Sequence, residues 1–409
     1  MTIRLYQDHV YLRECVSSVL AITNDNCLVL DKSLFFPTGG GQPCDLGTIN
    51  ELPLAEVFEK NGEVYHRFLE IPPFEVGDEV ICKLDWDLRF DHMQRHCGEH
   101  ILSGVFFSMF GGVNRGFHMG NDYMTIDIDL PAVTMDTALR IELAANEVIW
   151  SDVPVSVRYF SRREEAEKLP LRKGITVSQD ISVVCVGHEA NPADCVACCG
   201  THPSTSGQIG LIKILKIENY KGMSRVYFEA GKRAFLHTVK EHLLVSALAE
   251  KYSADENTLA AKISAQEDKN QLLRQDLQKY RELLIEREVQ ALGDATSLPS
   301  EESSDCPQVV VKEYEHLSLE DLQQLAKTLS SISPNFFILI SLKEKALLIS
   351  RAINMDTGTP DFGGLIKANV GNFNGKGGGN TYSARATFQS LGDLDEFVHY
   401  LVGLLIDEG

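Results

Sequence analysis

The chain has 409 residues, a formal charge of −20 and 44% hydrophobic residues, enough for two or three domains with ordinary cores. No run approaches the ~20 apolar residues of a membrane span, and charges stand at the N-terminus where a secretory leader needs an apolar stretch. A cytoplasmic protein with no membrane partner is expected, and the acidity excludes a general nucleic-acid glue.

Residues 1–84 are predicted to be β-rich, with short alternating runs broken by Gly, Pro, Asn and Asp. Within them FFPTGGGQPCDLG is too rich in glycine for a strand interior and is expected to be a loop. A helix is predicted from a cap near Asp87 to the Gly111-Gly112 stop, burying Phe90, Met93, Cys97 and Ile101. Strands at 124–130 and 153–160 flank a helix over 135–150, and strands recur at 181–187 and 209–230. From about 234 to 293 the pattern is helical, with SADENT (253–258) separating two helices. Leu272, Leu273, Leu277, Tyr280, Leu283 and Leu284 predict a long amphipathic, coiled helix. TSLPSEESSDCP (296–307) is expected to be a linker, followed by strands at 308–312, 336–341 and 346–350 and a second glycine-rich stretch, NFNGKGGGNTYSARA.

The chemistry concentrates in two short pairs. His96 and His100 in HCGEH stand four apart, so both imidazoles share one helix face. Cys198 and His202 in CCGTH add a thiolate and another imidazole, a set suited to Zn²⁺. About a hundred residues separate the pairs, so the tertiary fold must assemble the site. Cys195 and Cys199 are alternative sulfur ligands. The clustering in DCVACCG favours reduced thiols, with Cys97, Cys185 and Cys195 as buried inert ones. His-x-x-Glu-His alone also describes a metallopeptidase with Glu99 as general base, but that site needs a carboxylate ligand and gives Cys198 and His202 no role. Four protein ligands would complete a tetrahedral ion, so a non-catalytic module with structural zinc is a further alternative. The loop Pro37-Thr38-Gly39-Gly40-Gly41-Gln42 matches no nucleotide-binding glycine pattern, and ATP binding is not expected.

The stretches FFPTGGGQPCDLG, DWDLRFDHMQRHCGEHILSG, GFHMGNDYMTIDID, CCGTH, SGQIGLIKI and RVYFEAGKRA, in that order over residues 1–235, resemble the AlaX family of alanyl-tRNA editing proteins. The remainder resembles its long form, with a C-terminal domain similar to that of alanyl-tRNA synthetase. The resemblance implies an α+β / α/β multidomain fold. Its parts are a β-rich, barrel-like N-terminal domain (1–84), an α/β editing domain with an antiparallel sheet (85–235), a helical coiled-coil arm (236–295) and a C-terminal α/β domain (305–409).

It also implies hydrolysis of tRNA(Ala) wrongly charged with serine, glycine being a second substrate, at a zinc site of His96, His100, Cys198 and His202. Thr38 and Gln42 fall in the family's glycine motif, beside the aminoacyl pocket. The family usually has Gly where Cys199 stands. If the Thr38 hydroxyl pairs with that of serine, alanine would leave it unpaired, costing about 1–3 kcal/mol. Glu99 is a candidate base. Residues 151–250 carry 13 Lys and Arg against 11 Asp and Glu, and there Lys213, Lys216, Lys221, Arg225, Lys232 and Arg233 are the candidate tRNA-binding cluster. The arm and C-terminal domain are candidate contacts of a homodimer.

Overall fold

A computed structural model describes residues 2–176, 181–188, 190–297, 308–353 and 360–407. They form two compact units, Met1–Glu250 and Lys251–Gly409.

The first unit begins with an antiparallel seven-stranded sheet. Its order is Leu52–Pro53, Gly47–Ile49, Glu79–Leu84, Glu14–Ile22, Cys27–Leu30, Glu63–Arg67 and Glu56–Lys60. Alternation drives burial: in Glu79–Leu84 every second residue is buried, and Val80 and Cys82 join Val19, Leu28, Phe35, Ile49 and Val57 in one core. The glycine-rich stretch leaves this sheet as a loop, pinched by a bridge between Gly39 and Gln42.

The helix Trp86–Phe110 follows. Its N-cap is Asp85, two residues before the predicted position, because the Asp85 carboxylate accepts the Leu88 N–H at 3.1 Å. Gly111 ends it at φ 68°, a left-handed conformation that glycine adopts without strain. Two buried ion pairs fix this helix. Arg89 Nε donates to Asp45 of the glycine loop's C-terminal end at 2.8 Å, and Arg95 Nε donates to Glu229 at 3.0 Å.

Around the helix lie two sheets. A four-stranded one runs Asn114–Met119, Met124–Ile128, Met223–Ala230, Ile212–Tyr220, and with the helix Met135–Trp150 it encloses Cys97, Ile101, Ile126, Ile141 and Phe228. A three-stranded antiparallel sheet runs Val155–Phe160, Ile181–Val186, Asp194–Ala197. Asn114–Met119 and Asp194–Ala197 are strands that the sequence pattern did not suggest. The second brings Cys195 directly opposite Cys185. These two are joined by a disulfide and are not the inert free thiols expected, because cross-strand register holds their sulfurs together. The helix Gly231–Tyr252 ends this part of the chain.

In the second unit the helix Leu259–Ser297 follows a turn in which Asp255 accepts the Asn257 and Thr258 N–H groups. Ile285 and Leu292 of that helix are buried with Leu322, Leu325 and Leu329 of the helix Leu319–Ile332. Leu272, Leu273, Leu277, Tyr280, Leu283 and Leu284 are exposed. Most of the expected linker, 298–307, lies outside the described residues. A five-stranded sheet runs Val309–Tyr314, Phe336–Ser341, Ala346–Ser350, Ser383–Phe388, Gly375–Gly379, its first pair parallel and the rest antiparallel. Thus GKGGG is an edge strand, kept glycine-rich because a Cβ at Gly377 or Gly379 would strike the backbone of the neighbouring strand.

Candidate metal centre

His96 and His100 lie one turn apart on Trp86–Phe110, and their rings stack at 5.1 Å between centroids. Cys198 follows the strand Asp194–Ala197, and His202 lies four residues further on in an irregular segment. The His202 ring is 4.9 Å from His96 and 5.0 Å from His100, so the three imidazoles close a triangle. The donor atoms of His96, His100, Cys198 and His202 all lie within 4.8 Å of one another. The structure therefore brings these four together. Cys195 is engaged with Cys185, and Cys199 turns its sulfur toward Gly40 of the glycine loop.

The residues fit a tetrahedral ion. Cys198 Sγ is 3.3 Å from His96 Nε2 and 3.6 Å from His202 Nε2. Bonds of about 2.1 Å to nitrogen and 2.3 Å to sulfur would put such donors roughly 3.6 Å apart. His100 Nε2 is buried and lacks a hydrogen-bond partner among the described residues. An imidazole nitrogen left so would be costly unless something else meets it.

The outward nitrogens explain how two of the rings are held. His96 Nδ1 is 2.8 Å from Gln42 Oε1, while Gln42 Nε2 donates to Thr201 Oγ1 at 2.9 Å. His100 Nδ1 is 3.0 Å from Asp194 Oδ2, and Arg172 Nε donates to the other oxygen of Asp194 at 2.6 Å. Each contact directs Nε2 at the cluster, as ligating histidines require. His202 Nδ1 has no hydrogen-bond partner among the described residues. Gly200 has to be glycine, since a Cβ there would meet the His96 ring and the Gln42 amide.

Charge follows from this packing. Burial alone would raise the Cys198 thiol, yet the imidazoles of His96, His100 and His202 hold it well below the ordinary thiol range. Burial pushes His202 down to about 4, whereas His100, against its burial, is held well above the ordinary imidazole range by Cys198 and Asp194. A thiolate and a neutral imidazole are the forms that bind a transition metal.

A cavity of about 490 Å³ opens onto the cluster, with Gly40, Glu99, Asn114, Arg172 and Cys199 in its wall. Thr38 is exposed, and its backbone N–H donates to Val57 O at 3.1 Å. Gln42 is buried and contacts His96. Of the six basic residues read from sequence, four face acids. Lys213 meets Glu142 at 3.0 Å, Lys216 meets Glu218 at 2.5 Å, Arg225 meets Asp127 at 2.7 Å and Arg233 meets Asp91 at 2.9 Å. Lys221 lies 4.9 Å over the Tyr220 ring, and Lys232 is exposed. Sequence reading missed Asp194 and Arg172. Asp194 opens the stretch DCVACCG without a role there and Arg172 belongs to no motif, and only the pairing of Asp194 with His100 across 94 residues reveals them.

Residues 181–227 match the family described as threonyl and alanyl tRNA synthetase second additional domain. The chain is 28% identical over 417 residues to "Alanyl-tRNA editing protein AlaX-L" of Pyrococcus horikoshii, with 95% of each chain covered. It is 27% identical over 419 residues to "Alanine--tRNA ligase" of Pyrococcus abyssi, covering 98% of this chain and 43% of that one. To "Alanyl-tRNA editing protein AlaX-M" of Methanosarcina acetivorans it is 36% identical over 248 residues, covering 56% of this chain and 98% of that relative. With 98% of an alanyl-tRNA editing protein matched at 36% identity, the chain belongs to the AlaX family of alanyl-tRNA editing proteins.

Proposed function

We propose that the protein hydrolyses the ester linking a wrong amino acid to tRNA(Ala), with serine the chief substrate and glycine the second. The observation that carries this reading is the convergence of His96, His100, Cys198 and His202 on one point beside a cavity, in a chain related to named editing proteins over most of its length. Serine exceeds alanine by one hydroxyl, an addition that a small synthetic site rejects poorly, so a second hydrolytic site has a physical rationale. The cytosol is the proposed location. Among the described residues no helix is long and apolar enough to cross a membrane.

The four ligands would hold Zn²⁺, which when bound supplies Lewis-acid polarisation or a fixed shape to the pocket. Gln42 and Asp194 orient His96 and His100 through the contacts described above. The Thr38 hydroxyl is assigned to the side chain of serine, at the loop whose Gly40 reaches the cavity. Glu99, in the cavity wall, either activates water or binds substrate. Lys213, Lys216, Lys221, Arg225, Lys232 and Arg233 are proposed to meet phosphates, for which four of them must exchange an acidic neighbour. Closure of the N-terminal sheet into a barrel, coiled pairing of Leu259–Ser297 and a homodimer through that helix and the C-terminal domain complete the proposal. Its support is the exposed stripe from Leu272 to Leu284.

The test is incubation of the protein with serine-, glycine- and alanine-charged tRNA(Ala), with and without chelator. Release of serine and glycine but not alanine, lost on chelation with the fold retained, is the expected result. No release of serine would reject the reading. Loss of the fold on chelation would make the zinc structural.

A further inference from the structure

The wall of the cavity holds a buried carboxyl group that makes no ion pair among the described residues. Glu99 is 5% exposed. Its Oε1 accepts from Ser103 Oγ at 2.6 Å and Asn114 Nδ2 at 2.8 Å. Asn114 Nδ2 also donates to Ser103 Oγ at 3.0 Å, so both donors are held. Neither carries charge. Among the described residues Glu99 forms no ion pair, and its Oε2 accepts no hydrogen bond.

A buried carboxylate is expensive unless a cation faces it. None of the basic side chains in the cavity wall is ion-paired with Glu99, and Lys173 among them is exposed. Arg172 is bound to Asp194 through Nε at 2.6 Å and Nη2 at 3.3 Å, and Arg115 is bound to Asp129 at 2.7 Å on the outside. Glu99 is the single carboxylate among the residues that line this cavity. One of its oxygens is therefore fixed by two neutral donors while the other is left for what enters.

An aminoacyl ester brings what is missing. Its α-ammonium is a compact cation with three donors, fixed two bonds from the carbonyl carbon that hydrolysis attacks. We propose that Glu99 binds the α-ammonium of the esterified amino acid and thereby places its carbonyl beside the His96, His100, Cys198 and His202 cluster. This deepens the editing proposal and rests on it. Every amino acid carries that ammonium, so Glu99 sets the position of the ester and leaves discrimination of the side chain to other groups. An N-blocked aminoacyl ester would be a poor substrate, which separates charged elongator tRNA from N-acylated and peptidyl species.

The experiment compares seryl-tRNA(Ala) with N-acetyl-seryl-tRNA(Ala), using the full-length, metal-loaded protein and its Glu99→Gln variant. The amide keeps an oxygen for Ser103 and Asn114 and removes the charge. Wild type is expected to prefer the free amine by at least about tenfold in kcat/KM, as expected for a hydrogen-bonded charged group. In the variant the preference falls to near unity, chiefly through a higher KM for the free-amine ester, while bound metal stays at the wild-type level. An equal slowing of both esters with the preference kept would assign Glu99 to the hydrolytic step and overturn the proposal.

A binding measurement covers the case of a variant that does not fold. Wild type is titrated calorimetrically with the hydrolysis-resistant 3′-serylamido adenosine and with its analogue lacking the amino group. Equal affinity for the two overturns the ammonium role. If wild type hydrolyses neither ester and binds neither analogue, the editing reading itself fails and takes this inference with it. Tight binding of the amino analogue without hydrolysis would overturn the editing reading alone.

Discussion

Gln42 Oε1 lies 2.8 Å from His96 Nδ1, and the same oxygen accepts the Thr201 N–H at 3.1 Å. One carboxamide thus joins the glycine loop, the ligand helix and the CCGTH segment, across 54 and 159 residues of chain respectively. A residue in the glycine motif, assigned by resemblance to the aminoacyl pocket, touches the candidate ligand set directly.

Gln42→Ala should therefore weaken metal binding by about 10–100-fold, the usual effect of removing a partner that orients a ligating histidine. Competition with a chromophoric chelator measures this. An unchanged metal affinity would remove Gln42 from the orienting role.

Thr38→Val tests the serine hydroxyl assignment separately. The ratio of seryl to alanyl deacylation should fall by about 2–10-fold, corresponding to a hydrogen bond of about 0.5–1.5 kcal/mol from a hydroxyl that water also reaches. A ratio equal to that of wild type would shift selectivity onto another wall of the cavity.

Arg89 and Asp45 have side chains wholly removed from solvent. Arg89→Met strands the Asp45 carboxylate, which also accepts the Phe36 N–H, and should cost about 3–5 kcal/mol. Urea denaturation at pH 7 reads it. A change below about 1 kcal/mol would mean that water reaches the pair.

His66 gives a pH dependence with a definite sign. Burial pushes its imidazole down to about 4, and both nitrogens are engaged, Nε2 with Ser33 Oγ at 2.8 Å and Nδ1 with Leu28 O at 3.1 Å. The unfolded chain binds a proton near the ordinary value of about 6.5, and the native ring binds it only near 4. Stability from this group is complete above about 6.5, falls as the pH drops from there toward 4, and levels off below. Between pH 7 and pH 5 the loss should be roughly 2 kcal/mol. Subtracting the same measurement on His66→Gln isolates it. Parallel pH curves for the two proteins would contradict the assignment.

Truncation after residue 250 follows the boundary between the compact units. The fragment should keep its metal and its activity on aminoacyl ester while losing tRNA affinity or dimer mass. Deacylation assays with sedimentation and tRNA titration check the two halves. Equal affinity and an unchanged oligomeric state would reject the role given to the rest of the chain.

Much of this was legible because some signals are local. The ligand helix is bracketed by Asp85 and Gly111, whose side chain and backbone preferences act within a few residues. His96 and His100 are paired by helical periodicity alone. What was not legible depends on strand register and on how strands pack against the ligand helix. Asp194–Ala197 has four residues inside a cysteine-rich stretch, so neither the Cys185–Cys195 pairing nor the Asp194 contact with His100 has a sequence signature. The basic residues illustrate the converse. Lys213 and Arg225 look free in sequence, and their neutralising partners Glu142 and Asp127 come from a helix and a strand far away in the chain. Gly375–Gly379 was obscured because glycine density signals a loop, whereas here it admits close strand contact.

The two ion pairs on the ligand helix have a consequence for how such a protein can diverge. Asp45 grips the helix from the glycine loop beside the N-terminal sheet and Glu229 grips it from the central sheet, at Arg89 and Arg95. His96 follows directly, so the helix is clamped just ahead of its first ligand. Neither sheet can slide against the other without dragging that imidazole along. Change should therefore accumulate in the walls of the cavity, where a new side chain alters what is admitted without disturbing the frame.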